Sequence, residues 1–129
     1  MKKIDIWTVE TFYNENLSVG VYCNDNTIVR VEADGTRTLE LFGNIIFYKN
    51  LIGNYFFTLA GWNSNTTRAR VNALLERFNC FLTSQNGTRA NRGRDGTCYF
   101  HGLESRPIGN HVKYRITDDR KIVAQSVID

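Results

Sequence analysis

Arg68 and Arg70 stand at the start of GWNSNTTRARVNALLERF, residues 61–78, where Val71, Leu74, Leu75 and Phe78 keep the i, i+3, i+4, i+7 spacing of an amphipathic helix. The first turn of a helix carries the positive end of its dipole, which disfavours a cation there by about 0.3–1 kcal/mol. An anion in front of the turn would reverse that balance. The same turn leaves backbone N–H groups without intrahelical partners, and Ser64, Thr66 and Thr67 add hydroxyls to them. Amides, hydroxyls and guanidinium groups together make an anion site. The plainer reading is capping alone, with the arginines solvated or paired to a carboxylate elsewhere in the chain. At 100° per residue Arg70 and Arg77 share one flank, Arg68 takes the other, and Asn72 and Glu76 point away.

A second basic feature follows at once. In NGTRANRGRDG, Arg89, Arg92 and Arg94 alternate with Gly87, Gly93 and Gly96. Glycine lets a backbone approach a ligand closely, and the guanidinium fork matches phosphate geometry. Tyr99 lies just beyond, sharing a strand face with His101 while Cys98 and Phe100 take the other. An exposed tyrosine beside such a loop can stack a base. The competing reading is a solvated hairpin loop. Tyr48, Tyr55, Phe56, Phe57 and Phe100 could also stack bases from a sheet face, but such residues more often read as core. The candidate nucleic-acid or anion-binding set is therefore Thr66, Thr67, Arg68, Arg70, Arg77, Arg89, Arg92, Arg94 and Tyr99.

Catalytic signals are sparse. The histidines are His101 and His111, enough for acid–base cleavage of a phosphodiester but without a supporting motif. Cys98 and His101 have a metal-like spacing, yet no second pair completes a zinc site. Phosphate-loop, serine-hydrolase, zinc-protease and dinucleotide fingerprints are all missing from the string. No cofactor and no metal are expected, and the balance leans away from an enzyme.

Charge patterning agrees with the basic features. Residues 1–66 hold five Lys/Arg against seven Asp/Glu, residues 67–94 hold six Arg against Glu76, and residues 95–129 hold five of each sign. Nearly all the excess behind the net +3 thus sits on one helix and the loop after it. The 129 residues suit a single domain with one real core. The opening MKKIDIWTVE lacks an apolar signal segment, and the greasy stretch 41–62 is broken by Asn44, Lys49, Asn50 and Asn54, so no membrane partner is expected. Three widely spaced cysteines fit reduced thiols, and the Asn16, Asn65 and Asn86 sequons carry no weight without a secretory signal.

The elements that must position these residues are mostly strands. LSVGVYC, TIVRVEADG, TRTLELFGNIIFYKN and NYFFTLAGW alternate or run apolar, with turns at NDN and ADGT and a bulge or bend at Gly43–Asn44. CFLTSQ and TCYFHGL flank the arginine loop. HVKYRITDD places Val112, Tyr114 and Ile116 on one face and Lys113 and Arg115 on the other. IDIWTVETFY fits either a strand or a short helix, and KIVAQSVI either a closing strand or a helix. The expected fold is α+β: an antiparallel sheet with one main helix, about residues 66–79, packed on a face. Asn63, Ser64, Asn65 or Thr66 caps that helix, and Trp62 wedges the corner where strand meets helix.

The string LELFGNIIFYKN…FFTLAGWNSNTTRARVNALL resembles a pattern in small uncharacterised bacteriophage proteins. They have a strand with a Leu…Gly/Asn…Ile core, a strand ending Gly-Trp, then Thr-Thr-[Arg/Lys]-x-Arg-[Leu/Ile/Val]-Asn and an apolar helix. Here Leu41, Asn44, Ile45, Leu59, Gly61, Trp62, Thr66, Thr67, Arg68, Arg70, Val71, Asn72, Leu74 and Leu75 match it. The resemblance covers about residues 37–82 and departs at the glycine–arginine loop and the C-terminal strands. It implies a phage protein acting in the cytoplasm of a bacterial host. Together with the charge pattern it leads to a non-catalytic binding protein contacting nucleic-acid phosphates. The alternatives are a factor that inhibits or redirects a host defence enzyme through an acidic surface, and a small phosphodiesterase or nucleotide-capturing protein.

Overall fold

In the computed structural model, which describes residues 1–85 and 96–125, strand alternation and burial coincide. Helix α1 (Lys3–Phe12) leads into a meander of β1 (Gly20–Asn24), β2 (Thr27–Val31), β3 (Arg37–Leu41), β4 (Asn44–Lys49) and β5 (Tyr55–Phe57). Helix α2 (Asn65–Leu75) follows, then β6 (Phe81–Gln85), β7 (Thr97–His101) and β8 (Ser105–Ile108). Strands β9 (Tyr114–Ile116) and β10 (Ile122–Ala124) return to the first sheet. The order is β1-β2-β3-β4-β5-β9-β10 in a seven-stranded sheet and β6-β7-β8 in a three-stranded one, every pairing antiparallel. The chain is α+β, as the strand-dominated pattern requires.

In β2 and β3 the residues Thr27, Val29, Val31, Arg37, Leu39 and Leu41 are buried, while Ile28, Arg30, Thr38 and Glu40 face the other way. A period of two puts one face of the larger sheet under the helices and leaves the other uncovered by them. The helix side meets Phe12 of α1 and Val71, Leu74 and Leu75 of α2, and the same apolar cluster takes in Leu82, Cys98 and Phe100 from the smaller sheet.

Several elements differ from the sequence expectation. IDIWTVETFY is helical because Asp5, Thr8 and Phe12, at i, i+3 and i+7, all turn inward. The chain reverses fully at Phe42–Gly43, with φ of 50° and 82°, the two-residue hairpin geometry that matches strand twist. The register shift lies instead at Leu39/Glu40. Helix α2 stops at Leu75, tightens into a 3-10 turn over Glu76–Phe78, and ends where Asn79 goes left-handed at φ 56°. KIVAQSVI supplies a strand, β10, at the sheet edge; residues 126–129 lie outside the described residues.

Candidate nucleic-acid interface

The helix front is built by Ser64, whose Oγ accepts from the Thr67 amide at 3.2 Å; the Ser64 hydroxyl also donates to Thr67 Oγ1 at 3.0 Å. Ser64 is thus the cap, and Thr67 is buried as its partner. The arginines expected to face an external anion turn inward. Arg70 Nη1 donates to Asp5 Oδ1 at 2.7 Å and Nε to Thr27 Oγ1 at 3.1 Å, with the pair's side chains 7% and 8% exposed. The counter-ion of Arg70 comes from α1 of the same chain. Arg77, on the same flank, lays its guanidinium 4.4 Å from the centre of the Tyr13 ring. That contact with the end of α1 is a cation–π one.

Arg68 goes to the opposite flank. Its guanidinium donates to the side-chain oxygens of Asn63 and Asn65, and burial lowers its pKa, with Cys98 nearby acting the other way. Asn63 is itself buried, and its Nδ2 donates to Ser84 Oγ at 3.0 Å and to the Gly96 carbonyl at 2.7 Å. Ser84 and Gly96 flank the segment that joins β6 to β7, so Arg68, through Asn63, ties the helix front to the root of the arginine segment. Asn72, expected to point away, instead clamps β6: its Nδ2 donates to the Leu82 carbonyl at 3.0 Å, and its Oδ1 accepts from the Leu82 amide at 2.6 Å. These corrections share one cause. Helix α2 packs against α1 on one side, β6 on the other and the larger sheet beneath, so a wheel with one buried face misplaces its flanks.

Arg89, Arg92 and Arg94 lie outside the described residues. Tyr99 does not. On the outer face of the smaller sheet it stands opposite Thr83 and Pro107, two residues from His101, which faces Phe81 and Ser105. Phe81 is 50% exposed and stacks on the His101 ring at 4.7 Å and 21°. The His101 ring is held at both nitrogens, with Thr83 Oγ1 at 2.7 Å from Nε2 and Ser105 Oγ at 2.7 Å from Nδ1. Leu82, Cys98 and Phe100 point into the core from the opposite face. Cys98 and His101 therefore face opposite sides of β7, and burial pushes the Cys98 thiol up to about 11 against the pull of Arg68. The sequence singled out Tyr99 but missed Phe81, whose alternation with Leu82 and Thr83 was the available signal.

Beside the helix front, Leu41, Phe42, Ile46, Trp62 and Thr66 line a cleft of about 470 Å³. Trp62 is 65% exposed and Phe42 71%, so Trp62 opens onto solvent instead of wedging the corner. The corner is made by Gly61, at φ +90° and so close to His111 that a Cβ would come within 2.7 Å of its ring. His111 sits there, and His101 on β7.

A family model described as Kyanoviridae Gp96 protein matches residues 1–101. The chain belongs to the Kyanoviridae Gp96 family. It is accordingly a bacteriophage protein. The matched span of this Gp96-family chain runs from α1, and hence Asp5, through α2 to His101 at the end of β7. It includes the Arg70–Asp5 pair, the Asn63 anchor and the whole β6–β7 hairpin. No curated protein and no solved structure matches the chain. Among the described residues no helix is long and apolar enough to cross a membrane.

Proposed function

We propose that this phage protein binds single-stranded nucleic acid across the outer face of the β6–β7–β8 sheet, in the cytoplasm of the bacterial host. The observation that carries the reading is the placement of Phe81, Tyr99 and His101 together on that face. The same hairpin is joined by a segment, residues 86–95, holding three arginines and one carboxylate. Aromatic platforms stack bases with little regard to sequence, and neighbouring arginines meet phosphates. Arg68, through Asn63, then holds the hairpin root, Thr66 and Thr67 belong to the capped first turn of α2, and Arg70 and Arg77 fix that helix to α1, while Arg89, Arg92, Arg94 and Tyr99 make the contacts. No step of covalent chemistry is part of the proposal.

The test is fluorescence anisotropy with labelled single-stranded DNA and RNA over a range of salt. Affinity is expected to fall linearly on a log–log plot, with a slope of about −0.7 per phosphate neutralised. Replacing Arg89, Arg92 and Arg94 together by Ala is expected to flatten that slope by about 2. An unchanged slope, or undiminished affinity in Phe81→Ala/Tyr99→Ala, refutes the proposal.

A second reading, a factor that inhibits or redirects a host defence enzyme, draws on Trp62 and Phe42. Exposed aromatic residues rimming a cleft are the residue types that dominate protein interfaces. A pull-down from nuclease-treated bacterial lysate separates the two. A stoichiometric protein that survives the nuclease and is lost with Trp62→Ala favours the second reading, and a partner lost with the nuclease favours the first.

A further inference from the structure

Arg37 opens β3 and Lys49 closes β4, and the two stand directly opposite one another in the register of the larger sheet. They share the face that Leu39 and Phe47 bury against the helices. Like charges placed directly across a strand pair repel. Both line a pocket of about 420 Å³, with Arg77, Glu15, Glu32 and Tyr55 among its other walls. That volume falls in the range of small-molecule sites, about 300–1,000 Å³. Three cations against two carboxylates leave the lining with a surplus of one positive charge.

Arg37 is the unusual member. It is 8% exposed, and its Nη1 donates to the Phe12 carbonyl at 2.9 Å and to the Asn14 carbonyl at 2.6 Å. Those contacts tie the end of α1 to β3, but a carbonyl brings no formal charge. Among the described residues neither Arg37 nor Lys49 has a carboxylate at ion-pair distance, and neither Glu15 nor Glu32 is paired. Breaking or withholding the partner of a buried charge is costly, so a buried guanidinium calls for a counter-ion. Its Nε and Nη2 have no hydrogen-bond partner among the described residues. Nor are they sealed from solvent, since Thr38 Oγ1 is the one buried side-chain nitrogen or oxygen left unpaired among those residues. Nε and Nη2 form one edge of the planar fork, with N–H groups that run parallel. Such an edge matches two oxygens of a single carboxylate or phosphate group. A halide, with one centre, cannot fill both donors.

We propose that this pocket binds a small oxyanion, a carboxylate or phosphate group gripped side-on by Nε and Nη2 of Arg37 and met by Lys49 and Arg77. Carboxylate and phosphate share the recognising geometry, and the titration distinguishes them. The site lies on a different sheet from the hairpin face and does not depend on it.

NMR titration of the full chain tests this, following the Arg37 Nε–H resonance and the backbone amides of β3 and β4. The probes are acetate, methyl phosphate and chloride as sodium salts, at constant ionic strength and neutral pH. Acetate or methyl phosphate is expected to bind saturably with a Kd of about 10 mM or tighter, and about tenfold more tightly than chloride. The tighter of the two oxyanions assigns the group; equal affinity assigns the two-oxygen geometry alone. Lys49→Gln is expected to lose about fivefold in affinity, and Arg37→Lys, which keeps the charge but not the fork, about tenfold. Urea unfolding of Arg37→Lys is run alongside, and if that variant unfolds, Lys49→Gln carries the test. Glu15→Gln/Glu32→Gln is expected to bind several-fold more tightly, because two like charges leave the walls. Phe81→Ala/Tyr99→Ala leaves anion binding unchanged, which separates this site from the hairpin. No saturation up to about 100 mM, chloride as tight as either oxyanion, or full affinity in Lys49→Gln overturns the proposal.

Discussion

Asp5→Ala leaves the Arg70 guanidinium inside the protein with Thr27 as its remaining partner. At 2.7 Å, and with an effective dielectric constant of about 20, the Asp5–Arg70 attraction is about 6 kcal/mol before desolvation is charged against it. Breaking such a buried pair from one side costs about 3–5 kcal/mol, because the other charge stays behind without compensation. A domain of ordinary stability has about 5–15 kcal/mol in total, so the variant is expected to be folded only marginally. With a urea m value near about 2 kcal/mol/M, the unfolding midpoint falls by about 1.5–2.5 M. Asp5→Leu combined with Arg70→Met removes both charges and is expected to recover most of that loss. The folded fraction of Arg70→Met is expected to keep the wild-type salt slope in nucleic-acid binding, since a guanidinium engaged with Asp5 releases no counterion. A midpoint shift under about 0.5 M for Asp5→Ala would refute the internal counter-ion. A slope reduced by about one contact in Arg70→Met would show Arg70 reaching phosphate after all.

Further outcomes follow from other contacts. Asn63→Ala strips Arg68 of one acceptor and frees Ser84 and Gly96, so it is expected to cost about 1–3 kcal/mol by urea unfolding and to speed hydrogen exchange at the β6–β7 root. Asn72→Ala unpairs both backbone groups of Leu82 and is expected to destabilise comparably, whereas an exposed asparagine would tolerate the change within about 0.5 kcal/mol. Cys23 is exposed and is expected to react with Ellman's reagent in the native state, while Cys80 and Cys98, both buried, react only on unfolding. Burial holds the Cys98 proton on to about pH 11, against an ordinary 9.0. The unfolded chain therefore loses that proton first, and the stability present below pH 9 is expected to fall as pH rises through 11. Cys98→Ser, titrated in parallel, is expected to lose less over that window; an identical decline would assign it to other groups.

The hairpins and the amphipathic core of α2 were legible because they depend on local rules. Val112, Tyr114 and Ile116 against Lys113 and Arg115 needed only the strand period. The first ten residues were not legible. Asp5 at a buried helical position reads as an error until Arg70, 65 residues away, supplies its partner. Gly43–Asn44 looked like a bulge or bend, because that reading satisfies the apolar pattern as well as a full reversal at Phe42–Gly43 does, and only the pairing of β3 with β4 distinguishes them.

The sequence by itself determined that the basic excess lies on one helix and one connection, that the chain would be strand-rich, and that α2 would bear Val71, Leu74 and Leu75 on a buried side. Those are properties of composition and short periods, which travel with the chain. Tertiary structure alone decided where each guanidinium goes. Arg70 was claimed by α1, Arg68 by Asn63 and the hairpin root, and Phe81 was set beside His101 on an outer face. Each outcome depends on which element lands on which flank of a helix or sheet, and that contest is settled by long-range packing, in which a buried charge is retained only where the fold brings it a partner.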